Sequence, residues 1–529
     1  MIGRLRSLWQ RGPAEAPPAR ERVEPTVAAP PAEKRAAPRG LPRAWLAAAP
    51  SRLLADLPGG AAAAPNREIR QSLAVLRARS RWLAQNDGFS KGFFRLLRRN
   101  VAGPSGFDLQ MAVPLDNNPA RRDEDANQRI EAAWREWSGV GACDVSGKLS
   151  FAAVLQAIIT GVARDGEAIV RKVRGQRFNR AGLALQLIDP SQLPEDMNTP
   201  PGVGFIGGYR FPAANAIRMG VELSEWGRPV AYHLRTSVPN DDAWRFGAQL
   251  YQRVPAEEIV HLFVTDWPGQ VRGIPWLEAG IRSLAMMDGY AEAELVAARE
   301  GANKMGFYQL GENVDANDVP AELTTDGRLV QNAEAGTFEL LPKGVEFKSY
   351  DPQHPNAAFK EFIGTILRQA SAGTGVSYNA FANDRAGLNY SALRAVALDD
   401  RDEYRTIQHW LIEAFALPFF GEWLREMLIS GITGLPAGKF YKFNAPNFHP
   451  RGWQWVDPQN EIKAAADGLA LGLTSRRRLS AESGQDFDQT VADLKAEAEA
   501  MAGLEPPRMP TNAAPQAAPQ GTPANAPAP

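Results

Sequence analysis

The residues able to move protons, hold metals or act as nucleophiles are few and scattered. His233, His261, His354, His409 and His449 never stand three or four positions apart, the spacing that sets two imidazoles on one helix face, and neither His-Glu-x-x-His nor Gly-x-Ser-x-Gly occurs. Cys143 is the single cysteine, so no intramolecular disulfide forms, no Cys/His cluster can hold structural zinc, and a cytosolic origin is expected. The runs Asp123-Glu124-Asp125 and Asp399-Asp400-Arg401-Asp402-Glu403 could hold Mg²⁺ as a nuclease does, but arginines alternate with the acids at helical spacing, the pattern of a solvated face.

Gly202-Val203-Gly204-Phe205-Ile206-Gly207 matches the glycine pattern that lets a helix N-terminus approach a pyrophosphate. It follows Glu195 to Pro201 rather than a strand, and Gly208 to Pro212 continue it as no helix, so a loop is expected. Gly438-Lys439 lacks the rest of a phosphate loop, with Thr433 where the first glycine belongs and Phe440 in place of Ser/Thr. No catalytic, metal or cofactor site is expected.

Charge is more informative. Residues 276–306 carry Glu278, Asp288, Glu292, Glu294 and Glu300 against Arg282, Arg299 and Lys304, net −2, and residues 307–356 carry nine acids against three bases, net −6. A surface that grips DNA gathers Lys and Arg, because each neutralised phosphate releases counterions and tightens binding. A conduit through which DNA slides needs the reverse, and so does a surface that avoids nucleic acid. Residues 1–100 carry 19 Lys/Arg against 7 Asp/Glu, a basic arm that either contacts a polyanion or is a solvated Arg-rich tail.

The elements that must position these groups show in the periodicity. Helical spacing begins at Asn66 and recurs over Asp125–Trp137 and Phe151–Val162, and strand-like runs follow at Glu167–Val173, Leu183–Ile188, Ala214–Glu222, Val230–Leu234 and Glu258–Val264. A proline-free stretch from Trp276 to about Met305 predicts a long helix with the stripe Leu277, Ile281, Leu284, Ala291, Leu295, Ala298, Ala302, passing from bulky to small residues. Short strands are expected around Leu329 and Phe338–Leu341, then a helix over Ala357–Ser371, making a hairpin. A Gly/Asn/Tyr-rich passage, Gly373–Tyr390, precedes further helices over Ser391–Leu428 and a charged helical unit near Pro458–Met501. The class is α+β.

The chain has 529 residues, enough for roughly three compact units. Eleven of its 41 prolines lie in residues 1–65 and eight in 506–529, so both ends read as disordered tails. No stretch is long and apolar enough to span a bilayer, and the basic start lacks the apolar run of a secretion signal.

Several strings together resemble the lambda-type portal protein family of tailed bacteriophages. They are Leu76–Asp87 (LRARSRWLAQND), Asn100–Gly103, Asp165-Gly-Glu-Ala168, Leu187-Ile-Asp-Pro190, Gly227–His233, Val254–Phe263, Gln270–Trp276, Ala291–Ala298, Gly375–Tyr378, Asn389–Arg394, and Trp453–Pro458 with Glu461, all in the family's order over about residues 70–500. The sequence departs from the pattern at Ala392-Leu393, where a second small residue is expected, and at Asn460, where lysine is usual.

The resemblance implies a subunit of a dodecameric ring at one capsid vertex, a structural conduit for packaging and ejecting double-stranded DNA. It implies a wing (66–275 and 373–455), stem helices (276–306 and 357–372), a clip (307–356) and a crown (456–505), between a basic tail (1–65) and a second tail (506–529). On this reading the acidic hairpin, with Glu292, Glu294 and Glu300, forms the channel wall and the clip. The passage holding Asn379, Asn383, Arg385 and Asn389 falls where the family places its tunnel loop. Implied partners are the ring's other subunits, the terminase large subunit that supplies ATP hydrolysis, major capsid and scaffold proteins, the head-tail connector and the DNA itself. No membrane is involved, assembly takes place in the host cytoplasm, and the portal has no catalytic activity of its own. The competing readings are a metal-dependent phage head nuclease and a monomeric DNA-binding module led by the basic arm.

Overall fold

Pro65 opens the first helix, where its missing N–H costs nothing, and the computed structural model describes the chain from Ala64 onward. The described residues are 64–206, 209–212, 214–239, 241, 250–303, 306–310, 322–323, 329–330, 345–349, 359–453, 458–483 and 487–502. The expected tails, His354 and the strand expected at Phe338–Leu341 lie outside them, apart from Ala64 and Pro65.

Helix α1 (Pro65–Asn86) leads into α2 (Gly88–Leu97), whose start is capped by Asp87 accepting from the Ser90 N–H at 2.7 Å. One π-turn, Arg98–Ala102, follows. Strands β1 (Asp108–Met111), β2 (Pro114–Leu115) and β3 (Asn118–Arg122) precede α3 (Glu124–Ser138) and α4 (Phe151–Asp165), capped by Asp123 and Ser150. Strands β4 (Ala168–Arg174) and β5 (Leu183–Ile188) come next, then the short β6 (Phe205–Ile206) and β7 (Tyr209–Arg210), which pair as a hairpin where the glycine string stands, so that string is loop and hairpin rather than a helix start.

The run expected as one strand over Ala214–Glu222 is instead β8 (Ala216–Arg218) and β9 (Val221–Leu223), folded back at Met219 and Gly220, whose φ angles are +48° and +80°. The turn follows from Gly220: only a residue without Cβ adopts this angle freely, and a Cβ there would lie 2.7 Å from Leu193. Strands β10 (Pro229–Arg235) and β11 (Tyr251–Pro255) extend that sheet to the order β11-β10-β9-β8, and β12 (Ile259–Leu262) joins the other as β12-β4-β5.

Helix α5 covers Ile281–Asn303, beginning five residues later than expected because Trp276–Gly280 form a turn. In the insert, β13 (Gly306–Leu310) and β16 (Val345–Ser349) pair, as do β14 (Glu322–Leu323) and β15 (Leu329–Val330). Helices α6 (Phe359–Thr374), α7 (Tyr378–Phe381), α8 (Tyr390–Leu411) and α9 (Leu417–Ile429) follow. Between α8 and α9 lies a second π-turn, Ile412–Ala416, beside Pro418; proline has no N–H for the i−4 carbonyl, and the wider turn absorbs the break without ending the helix. Helix α10 (Phe440–Phe443), β17 (Pro446–His449), α11 (Pro458–Ala470), α12 (Arg476–Glu482) and α13 (Phe487–Ala500) complete the described chain.

Two apolar cores hold this together. The larger joins α2, α3 and α4 to α8, α9 and β17, so residues near both ends of the folded chain share it. Its centre is Trp134, whose ring meets Trp423 edge-on at 4.9 Å and Phe151 at 5.0 Å. The smaller sets Ile69 and Leu73 of α1 against Ile169, Val221, Tyr232, Leu234 and Val254 of the sheets. Antiparallel β1 and β17 close the larger core in the register Asp108↔His449 to Met111↔Pro446. Asp488 of α13 accepts from Arg122 at 2.6 Å and from Gln110 at 2.9 Å, tying the last helix to the same region. Among the described residues no helix is long and apolar enough to cross a membrane.

Candidate channel elements and the buried charge cluster that positions them

Small residues face one another where the turn entering α5 meets the end of α6. A Cβ on Gly280 would lie 3.3 Å from Ala370, and one on Gly373 would lie 3.0 Å from Ala279. Further along, Tyr290 packs between the pair, its ring tilted by 36° against Phe359 at 5.5 Å and edge-on to Phe362 at 5.3 Å. Of the expected stripe Leu277, Ile281 and Leu284 are buried, Ala291 is half-buried, and Leu295 and Ala298 are exposed; the side chain of Ala302 lies outside the described residues. The small residues in that contact are thus Ala279, Gly280, Ala370 and Gly373, not Ala291 and Ala298.

Glu292 is exposed on α5, and Glu294 is half-buried. Glu294 accepts a hydrogen bond from the Tyr290 phenol, which raises the phenol's pKa. Glu300 lies on α5, with its side chain outside the described residues.

The Gly373–Tyr390 passage has a defined shape. Ser377 caps α7 and donates its hydroxyl to Asp400 of α8 at 2.7 Å. Asp384 accepts from the Tyr378 phenol at 3.0 Å and from the Ala386 N–H at 2.9 Å, and its backbone carbonyl accepts from the Asn379 amide at 2.9 Å. Asn389 accepts from the Ala392 N–H at 2.8 Å as the cap of α8. Two of the four polar candidates, Asn379 and Asn389, therefore hold the passage in shape. Asn383, at φ +51°, and Arg385 are its exposed tip.

The base of α5 is fixed by a buried charge cluster. Glu167, entirely buried, faces Arg272, also entirely buried, whose Nε donates to Oε2 at 2.8 Å. Arg77 reaches the same carboxylate at 2.8 Å and His261 at 2.9 Å, and the Gly273 N–H adds a contact at 3.3 Å. The second arm of Arg272 donates to the carbonyls of Leu193 (3.0 Å) and Met219 (2.8 Å). Arg77 also pairs with Glu195; Arg81 joins Asp165 and Asp189, both at 2.7 Å, and Arg164 adds a second partner for Asp165.

Four carboxylates thus meet four guanidiniums and one imidazole. Burial alone would raise the Glu167 pKa, but the Arg272 charge and the hydrogen bonds from Arg272 and His261 hold it well below the usual carboxylate range. Such balance makes a rigid joint rather than a reactive centre: every acid already has a cationic partner.

The joint needs two glycines. A Cβ on Gly273 would lie 1.9 Å from the Gly166 carbonyl oxygen, and one on Gly166, at φ +88°, would lie 2.6 Å from Ile274. Three residues on, the Trp276 N–H donates to the Ala163 carbonyl at 2.9 Å, so the segment entering α5 is pinned to α4.

The acidic runs weighed for metal binding are engaged in structure. Asp123 caps α3 and pairs with Lys442 at 2.7 Å, Asp125 pairs with Arg129, Asp400 holds Ser377, and Asp402 pairs with Arg405. Among the described residues no group of three or more His, Cys, Asp or Glu is arranged to hold a metal.

Seven residues of the charge cluster, Arg77, Arg81, Asp165, Glu167, Asp189, His261 and Arg272, come from five of the strings that resemble portal proteins. The family profile described as phage portal protein, lambda family, matches residues 54–408, and the chain belongs to that family. It is similar to the probable portal protein of Halomonas phage phiHAP-1, 35% identical over 496 residues, 92% of this chain and 90% of that one. It is also similar to portal protein B of Escherichia phage lambda, 22% identical over 477 residues, 81% of this chain and 85% of that one. Among solved structures, a chain in the neck of an empty GTA particle aligns with 78% of this chain and 94% of its own length, at 13% identity and a TM-score of 0.43. The present chain's function is that of a phage portal protein.

Proposed function

We propose that the chain is one subunit of a dodecameric ring at a single capsid vertex, through which double-stranded DNA is packaged and later ejected. The wing is 66–275 with 373–455, the stem 276–306 with 357–372, the clip 307–356 and the crown 456–505. The ring docks the terminase large subunit, which supplies ATP hydrolysis; it sits among major capsid and scaffold proteins and receives the head-tail connector. It performs no chemistry itself and assembles in the host cytoplasm. Glu292, Glu294 and Glu300 line the channel, and Asn383 and Arg385 form the tip of the tunnel loop, which Asn379 and Asn389 shape.

The observation that carries the ring is the open apolar surface of the α5–α6 hairpin. Ser283, Met286, Tyr290, Phe362 and Ile366 line an open groove of about 560 Å³, with Met286 64% and Phe362 51% exposed, and Leu295 on the same helix as Met286 72% exposed. An isolated chain leaves this surface in water, which is unfavourable by about 25 cal/mol per Å²; a neighbouring copy in a ring covers it. Electron microscopy of the purified protein tests the reading. Rings are expected from the native chain, and folded monomers from a Met286→Glu, Phe362→Glu double variant. A native chain that stays monomeric at high concentration and in capsid extracts refutes the ring, and rings from the double variant refute the interface.

A further inference from the structure

The turn that ends α2 places a cluster of cations that the buried joint does not use. Arg95, Arg98 and Arg99 are exposed on the last turn of α2 and the π-turn after it, and the half-buried Arg451 reaches them from beyond β17. With Gln156 and Pro104 they line an open pocket of about 460 Å³. Among the described residues none of the four guanidiniums is paired with a carboxylate. Arg451 donates instead to the Asn100 side-chain oxygen at 3.0 Å and to the Arg99 carbonyl.

The pocket is built rather than incidental. Gln408, almost fully buried, donates to the carbonyls of Asn100 (3.0 Å), Val101 (3.2 Å) and Arg451 (3.1 Å), locking the π-turn to the Arg451 segment. Gln156 donates to the Gly103 carbonyl at 2.7 Å and fixes the other wall, and a Cβ on Gly103 would press to 3.0 Å on Arg451. The helix C-terminus favours nearby cations, which accounts for one or two arginines there. It does not account for the fourth, brought in from a remote segment against their repulsion. Burial and the neighbouring Arg99 charge both lower the Arg451 pKa, so holding these charges together is unfavourable until an anion joins them.

We propose that this pocket binds the phosphodiester backbone of double-stranded DNA, outside the acidic hairpin. The ligand class follows from the lining. All four cations are arginines, whose planar forks match phosphate oxygens two at a time. Apart from Pro104 the lining has no apolar side chain to anchor the centre of a protein partner's interface, so a polymer that presents charge alone is the better fit. The inference rests on the portal reading only in that the reading brings DNA to the protein.

The test uses the full-length protein and a short labelled DNA duplex, with affinity measured across a salt series. Arg95→Ala, Arg98→Ala and Arg99→Ala together remove three exposed charges and leave the structural Arg451 in place. Arg180→Ala, Arg218→Ala and Arg228→Ala together remove three exposed charges elsewhere and serve as the control. If each of the three contacts one phosphate, the first variant binds DNA more weakly and its slope of log affinity against log salt falls by about three, while the control changes little. Equal loss in both variants would mean general charge rather than a site and overturns the proposal, as does no loss in the first. If the first variant loses affinity for poly-glutamate but not for DNA, the pocket serves an acidic polypeptide and the DNA assignment fails. Electron microscopy of the same samples separates the two readings: native rings with unaltered DNA binding refute only the pocket, whereas a native chain without rings refutes only the ring.

Discussion

The carboxylate of Glu167 and the guanidinium of Arg272, 105 residues apart in the chain, face each other with no access to water on either side. Their contact joins the strand β4 region to the segment that leads into α5, so an ion pair anchors the start of that helix. Breaking a buried pair by removing one partner strands the other charge and typically costs about 3–5 kcal/mol. Arg272→Met and Glu167→Gln are each expected to lower stability by that order in urea unfolding, and the double variant by less than the sum. Additive losses would show that the two side chains do not act as a pair.

The close crossing of Gly166 and Gly273 makes a second prediction. Gly273→Ala has no room for its methyl group, and insoluble or misfolded protein is expected. Gly92 of α2 has nothing within 4 Å of the position a Cβ would take. Gly92→Ala is expected to be neutral or to stabilise by about 0.5–1 kcal/mol through helix propensity. Soluble yield and melting temperature check both, and a well-folded Gly273→Ala protein would show that the crossing opens easily.

Acid sensitivity follows from two buried groups. His233 is held neutral: burial and the Arg253 charge lower its pKa below the ordinary 6.5, against the opposing pull of Glu222. A depressed folded pKa gives stability that is full above 6.5 and is lost as pH falls through the folded value. Glu167 has the same sign in a lower window, starting below its ordinary 4.5. Melting temperature is therefore expected to begin falling just below pH 6.5 and to fall again below 4.5. His233→Gln flattens the upper part if the assignment is right; an unchanged profile in that variant refutes it.

The channel assignment of α5 predicts an electrostatic effect on transport. Glu292→Lys, Glu294→Lys and Glu300→Lys together replace repulsion of phosphate by attraction, so packaging or ejection slows and becomes more salt-sensitive. Native rates at low salt would place these side chains away from the lumen.

The loop prediction is confined to the tip. Asn383→Gly with Arg385→Ala spares Asp384, Asn379 and Asn389, whose hydrogen bonds shape the passage. Rings and procapsids are expected to form normally while less full-length DNA is retained per particle. Normal packaged length would remove the tunnel-loop role, and loss of rings would make the tip a subunit contact.

Much of the fold was legible because hydrophobic period acts locally: α3 and α4 fall close to the helical stretches at 125–137 and 151–162, and β4, β5, β10 and β12 close to their apolar runs. The single strand expected over Ala214–Glu222 failed because the positive φ at Met219 and Gly220 is a matter of two residues that hydrophobic pattern does not register. Helix α5 starts late because Leu277 is buried by the turn that anchors it, so an apolar stripe alone did not mark its first residue. The charge cluster was present only as separate strings. Arg77, Glu167 and Arg272 each look like surface charges until β4, β12 and α1 bring them together, and no spacing along the chain encodes that meeting. The same holds for Arg451, which joins Arg99 from 352 residues away.

The pairing of β1 with β17 sets a timetable for synthesis. The strand at Asp108 waits for His449, about 340 residues later, before its edge is covered. At 5–20 residues per second a ribosome takes roughly 20–70 seconds over that interval. During it Trp134 and Phe151 have no α9 to pack against, while the apolar α5–α6 surface has already emerged. A nascent chain therefore exposes the apolar α5–α6 surface before its own interior is closed, and the late arrival of the last third of the chain decides when the larger core can form.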